Sequence, residues 1–89
     1  MICVHVRVSG RVQGVYYRNF TQSQARELGV KGWVRNVPGG GVEAMLEGER
    51  QNVGELLKLM KTGPSGSMVS RMELSELKCK GFDNFEIVH

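Results

Sequence analysis

Gly10-Arg11-Val12-Gln13-Gly14-Val15-Tyr16-Tyr17-Arg18 joins two segments of different periodicity, and the fold is read outward from that junction. Upstream, Ile2, Val4, Val6 and Val8 alternate with Cys3, His5, Arg7 and Ser9. This is the period-2 pattern of a strand with one buried and one wet face, and it puts His5 on the surface. Downstream, Tyr17, Phe20, Gln24 and Leu28 are spaced for one face of a helix that Gly29 closes. The junction is therefore a strand-to-helix turn that contains glycine and ends in arginine. Such a turn suits an oxyanion: glycine lets backbone N–H groups face a ligand, and a helix N-terminus carries unpaired donors and a positive dipole end. An arginine in the first helical turn opposes that dipole unless an anion lies between them. On these residues alone two readings stand, a phosphate-binding turn or a plain strand-turn-helix with a surface arginine. It is not a P-loop, because the lysine and hydroxyl residue of G-x-x-x-x-G-K-[ST] are missing.

Further along, Lys31 to Val37 reads as a second strand, Pro38-Gly39-Gly40-Gly41 as a turn and Val42 to Gly48 as a third strand, together a hairpin. Asn52 with Glu55 three residues on forms a capping box, and Val53, Leu56, Leu57 and Met60 follow as one apolar helical stripe ended by Gly63-Pro64. Ser67 to Lys80 is a fourth strand, where Met72 and Leu74 share one phase and Leu77 takes the other, predicting a bulge near Ser75-Glu76. Phe82, Phe85, Ile87 and Val88 make a short closing strand. The order β-α-β-β-α-β plus a terminal strand predicts an α+β, ferredoxin-like α/β sandwich: an antiparallel sheet with two helices on one face, one domain over residues 1–89.

The bulk numbers exclude more than they select. At 89 residues, with 40% hydrophobic and 24% charged content, the chain suits one soluble domain. No apolar run approaches the roughly 20 residues of a membrane span. Met1 to Val6 enters strand pattern at once, without a basic leader segment, so the cytoplasm is the expected compartment. A monomer is the expected state. A net charge of +3 without any basic block fits an anionic small molecule as well as nucleic acid. Cys3 and Cys79 form no C-x-x-C, which removes thioredoxin-like and zinc-finger readings. Reduced thiols are expected, since Cys3 shares the wet face whereas Cys79 is in step with an inward Leu77.

Two chemistries compete for this fold, which by itself decides nothing. Lys80-Gly81-Phe82-Asp83-Asn84-Phe85 approaches the aromatic motif of RNA-binding sheets. Aspartate replaces its small residue, its second aromatic comes one position late, and the wet face of the first strand has no aromatic platform, so nucleic acid is not the expected partner. A hydrolase faces another difficulty. No Ser-His-Asp set or metal-ligand cluster is visible, and one of only two histidines is terminal. Hydrolysis of an acyl phosphate makes no demand on such groups. Its carboxylate leaves unprotonated, with a conjugate acid of pKa about 4. The loose phosphoryl-transfer transition state needs mainly positioning and charge stabilisation.

At this point the residues resemble a known family. Gly10-Arg11-Val12-Gln13-Gly14-Val15-Tyr16-Tyr17-Arg18-Asn19-Phe20 is similar to the first acylphosphatase signature, G-x-V-Q-G-V-x-[FY]-R-x-F. Gly32-Trp33-Val34-Arg35-Asn36-Val37 with Gly41-Val42-Glu43 is similar to the second, G-W-V-x-N with a downstream G-x-V-E. Gly63-Pro64 and the closing Phe85-x-Ile87 also fit, so the resemblance spans the chain. It implies that Arg18 binds the phosphoryl oxygens and that backbone N–H groups of Gln13, Gly14, Val15, Tyr16, Tyr17 and Arg18 complete a cradle. It also implies that the Asn36 carboxamide orients the attacking water. By itself, an asparagine before a Pro-Gly turn would be turn chemistry. The family implies no metal and no organic cofactor. Its substrates are carboxyl-phosphate anhydrides such as acetyl phosphate, with inorganic phosphate as product and inhibitor. A non-catalytic anion-binding or interaction domain is the alternative on the same fold. Arg35 is expected on the opposite face as a solvated charge, and Tyr16 and Tyr17, beside the turn, as core aromatics with hydroxyls at the rim, with ligand contact as the alternative. Two departures stand out: the Pro38-Gly41 tip where an Asp-Gly turn is usual, and Tyr17 where phenylalanine is common, its hydroxyl reaching either cradle or solvent.

Overall fold

A computed structural model describes every residue from Met1 to His89. Its elements are β1 (Ile2–Arg11), α1 (Tyr17–Glu27), β2 (Lys31–Asn36), β3 (Val42–Gly48), α2 (Arg50–Thr62), β4 (Met68–Leu77) and β5 (Phe85–Ile87). The strands form one sheet in the order β4-β1-β3-β2-β5. The first four are antiparallel neighbours, as the ferredoxin-like reading requires. The closing strand runs parallel to β2 and makes the sheet mixed, which corrects the expectation of a purely antiparallel sheet. The cause is topological: β4 and β5 occupy opposite edges, so the chain between them must cross the sheet, and it arrives pointing the same way as β2.

Val4, Val6 and Val8 of β1 bury their side chains beneath both helices, joined by Val34, Val42, Ala44, Leu46 and Phe85 from the other strands. From α2 come Val53, Leu56 and Met60, with Leu57 partly buried, which is the expected stripe. On α1 the fully buried line is Tyr17, Thr21 and Ala25, rotated from the expected Tyr17-Phe20-Gln24-Leu28 face. Thr21 tolerates burial because its hydroxyl donates to the Tyr17 carbonyl at 2.9 Å. The helix α2 also starts earlier than its capping box suggested. Glu49 is the N-cap, without a side-chain cap bond, and Asn52 lies inside the first turn. The chain turns directly out of β3 at Gly48, and the Val53 N–H already reaches the Glu49 carbonyl at 2.9 Å.

The bulge is displaced as well. The β1–β4 register runs unbroken from Cys3–Leu77 to Ser9–Arg71 and shifts only between Ser9 and Gly10, so no bulge stands at Ser75-Glu76. Leu77 is therefore in phase with Cys3, on the sheet face away from the helices. That face is not uniformly wet. Cys3 is fully buried, against expectation, because residues 78–84 cross over it. Glu47, which lies on the same face, holds this crossing segment down. Its carboxylate accepts N–H bonds from Lys80 at 2.8 Å, Gly81 at 3.0 Å and Phe82 at 3.0 Å. Burial pushes the Glu47 carboxyl up, but the three donors outweigh it and hold the group below the ordinary carboxylate range. Both cysteines are free, with Cys79 exposed.

Candidate active site

The junction that decided the fold becomes the wall of a cavity of about 370 Å³, lined by Val12, Gly14, Tyr16, Tyr17, Arg18, Asn19 and Asn36. After β1 ends, the chain takes left-handed backbone at Gly14 (φ 75°) and again at Tyr16 (φ 60°), the one non-glycine residue with positive φ. Left-handed backbone of this kind curls successive N–H groups toward one concave side. The N–H groups of Gln13, Gly14, Val15 and Tyr16 donate to no other group of the chain. Those of Tyr17, Arg18 and Asn19 open α1 and have no carbonyl one turn earlier within it. A tyrosine in the left-handed region costs about 1–2 kcal/mol, and Tyr16 holds it while 81% exposed. It is not the core aromatic it was expected to be.

Tyr17 is that aromatic. Its ring is fully buried and its hydroxyl donates to the Met60 carbonyl near the end of α2 at 2.6 Å. The hydroxyl thus reaches neither cradle nor solvent, and burial pushes its pKa well above the usual phenol value. Arg18, half-buried on the next position, has no carboxylate within ion-pair distance, and the first turn of α1 carries no acidic residue. Its charge is compensated by nothing on the chain.

Asn36 arrives from the other side. It is the last residue of β2, paired with Val42 and so on the helix side of the sheet. Its Oδ1 is buried and has no hydrogen-bond partner, the single buried side-chain polar atom in that condition. Such an atom costs roughly 1–3 kcal/mol and calls for an explanation beyond stability. The hairpin beyond it comes close under β1: at Gly41 (φ +108°) a Cβ would stand 2.8 Å from the Val8 carbonyl oxygen. Only glycine fits that approach. Two further bonds, from Gln13 Nε2 to the Val37 carbonyl at 2.9 Å and to the Gly41 carbonyl at 2.8 Å, tie the hairpin to the cradle. The signature gave Gln13 only its backbone N–H. Nothing local in the sequence marks the side chain, since its acceptors lie more than twenty residues away.

Arg35 does face the opposite side, as expected, but it is engaged rather than merely solvated. It bonds Glu43 at 2.6 Å and lies 5.6 Å over the Trp33 ring. His5 bonds the same carboxylate at 2.7 Å and is half-buried. Burial raises the Glu43 carboxyl, and the His5 and Arg35 bonds more than reverse this, leaving it below the ordinary range. None of these residues lines the cavity. No group of three His, Cys, Asp or Glu side chains is arranged to hold a metal ion.

Fold and cavity place the chain among ferredoxin-like α+β proteins with an anion-suited turn before the first helix. The comparisons are more specific. The Acylphosphatase family profile matches residues 4–87. An acylphosphatase of Methanothrix thermoacetophila is 69% identical over 88 residues, which is 99% of this chain and 98% of the relative. One from Acaryochloris marina is 47% identical over 88 residues, or 99% and 95% of the two chains. The crystal structure of the Bacillus subtilis acylphosphatase superposes with a TM-score of 0.97 at 33% identity, covering all of both chains. The chain belongs to the acylphosphatase family.

Proposed function

We propose that the chain hydrolyses acyl phosphates in this cavity, with Arg18 and the backbone N–H groups from Gln13 to Arg18 binding the phosphoryl oxygens and Asn36 holding the water. The carrying observation is the buried, unpartnered Oδ1 of Asn36 in the same cavity as an arginine without a carboxylate. The Asn36 carboxamide, on the cavity wall, holds the water by hydrogen bonding and leaves a water lone pair aimed at phosphorus. As that P–O bond forms, the bond from phosphorus to the acyl oxygen breaks, and its electron pair leaves on the carboxylate. The water's proton passes to a phosphoryl oxygen of the substrate. Negative charge spreads over the phosphoryl oxygens in the transition state, where the guanidinium and the N–H donors face it without reorganising. No residue has to act as general acid, because the leaving carboxylate is already stable as an anion.

The substrate is a small anionic molecule and not nucleic acid. Trp33, the aromatic on the helix-free face, is stacked by Arg35, and Glu43 stands beside it. One core shared by both helices and the sheet supports a single domain over residues 1–89, and we infer that it acts as a monomer. Two unpaired thiols support a reducing compartment, the cytoplasm. Hydrolysis of benzoyl phosphate, followed by ultraviolet absorbance with a metal chelator present, tests the reading. Turnover that survives the chelator is expected, and its absence would return the domain to a non-catalytic anion binder.

A further inference from the structure

The cradle and Asn36 come from different parts of the chain, so something must hold them in register. The β1–β3 ladder ends at Val8–Val42, short of the cradle, and no ladder bond reaches from residues 12–16 to the hairpin tip. The side-chain link is Gln13. Its Nε2 donates to the Val37 carbonyl, immediately after Asn36, and to the Gly41 carbonyl, where the turn closes with the Val37 N–H on the same oxygen at 3.1 Å. Both acceptors are main-chain carbonyls, so only the NH₂ side of the amide can face them, and both of its hydrogens are used. No other cradle side chain bonds to the hairpin.

We propose that Gln13 is a positioning residue: its amide clamps the hairpin that carries Asn36 against the phosphate cradle, so that water on Asn36 lies in line with the phosphorus. This rests on the roles given above to Arg18 and Asn36. The amide acts on geometry, not on charge at the phosphoryl group. Misplacement on the ångström scale at a reacting centre is enough to cost orders of magnitude in rate. The clamp should therefore show in kcat and act only through Asn36.

The experiment is a double-mutant cycle of Gln13→Ala and Asn36→Ala, assayed with benzoyl phosphate and with inorganic phosphate as inhibitor. Gln13→Ala is expected to lower kcat about tenfold while the phosphate inhibition constant stays within about twofold. In the Asn36→Ala background the same change is expected to alter kcat no further. An equal loss in both backgrounds, an unchanged kcat, or loss of phosphate inhibition overturns the clamp. If Asn36→Ala itself keeps its turnover, the reading of the site fails instead, so the two failures are distinguishable. Should Gln13→Ala not fold, Gln13→Met replaces it, which keeps the length of the side chain without charge and removes both donors. Its kcat is expected to fall about tenfold in the wild-type background and no further beside Asn36→Ala. An unchanged kcat, or an equal loss in both backgrounds, overturns the proposal.

Discussion

Both ends of β3 face a row of consecutive backbone N–H groups, and the molecule treats the two rows oppositely. Near Glu47 the donors of Lys80, Gly81 and Phe82 all end on one buried carboxylate. Near Val42, at the hairpin end, the donors of Gln13 to Tyr16 end on no group of the chain, and Asn36 Oδ1 has no donor. One row is answered by an anion built into the chain, and for the other the proposed function has the substrate's phosphoryl group take that place. A satisfied network of this kind adds stability, whereas an unsatisfied one lowers it and persists where it serves binding or reaction. The contrast separates a structural anchor from a working site without any knowledge of the substrate.

Substitutions can break that contrast, beginning with the largest effect. Arg18→Ala should lower kcat/KM by about 10³-fold or more, since it removes the one side-chain charge in the cradle. Inhibition by inorganic phosphate should vanish with it, and inhibition of unchanged strength would show that the cradle lies elsewhere. Asn36→Ala should lose about 10²-fold in kcat with little change in phosphate inhibition. Because it deletes a buried unpaired acceptor, its stability should hold or rise by about 1 kcal/mol in urea denaturation. At the anchor the signs reverse. Glu47→Gln should cost about 2 kcal/mol, because an amide cannot accept from all three donors, and turnover per folded molecule should stay near wild type.

The anchor also has a pH signature. The folded Glu47 carboxyl titrates below its ordinary value, so its contribution is complete above about pH 4.3 and disappears as pH falls through the lowered value. Melting curves of wild type and Glu47→Gln should therefore lie furthest apart near neutrality and converge in acid. The smallest effect belongs to Tyr17→Phe. It removes the buried bond to Met60 and should cost about 1 kcal/mol with kcat within about threefold, measured by denaturation beside the benzoyl phosphate assay. A large kcat loss there would mean that the hydroxyl serves the cradle after all.

Much of this is legible in the sequence. Alternation in β1 put Val4, Val6 and Val8 into the core, the glycine-arginine junction marked the cradle, and the two signatures named Arg18 and Asn36, which the fold brings to one cavity. What escaped reading depends on contacts distant in sequence. The phase of Cys3 was right, yet its burial follows from a segment that crosses the sheet some 75 residues later, beyond the reach of any local pattern. Glu47 drew no reading of its own, because its partners are backbone N–H groups, which no side-chain pattern announces. Tyr16 and Tyr17 are adjacent aromatics of identical type, and only the left-handed turn at Tyr16 decides that one points out and the other in.

The crossing segment has a consequence for how the molecule breathes. With Cys3 sealed and Cys79 exposed, the chain carries one thiol that a reagent meets at once and one that it meets only after residues 78–84 lift from the sheet. The second labelling rate, divided by that of an open thiol, is an opening constant for this edge alone. If the edge detaches before the helices unpack, Cys3 will label with a smaller free energy than global unfolding requires. The protein then has a low-stability rim remote from its reactive end, and a single cysteine meters it.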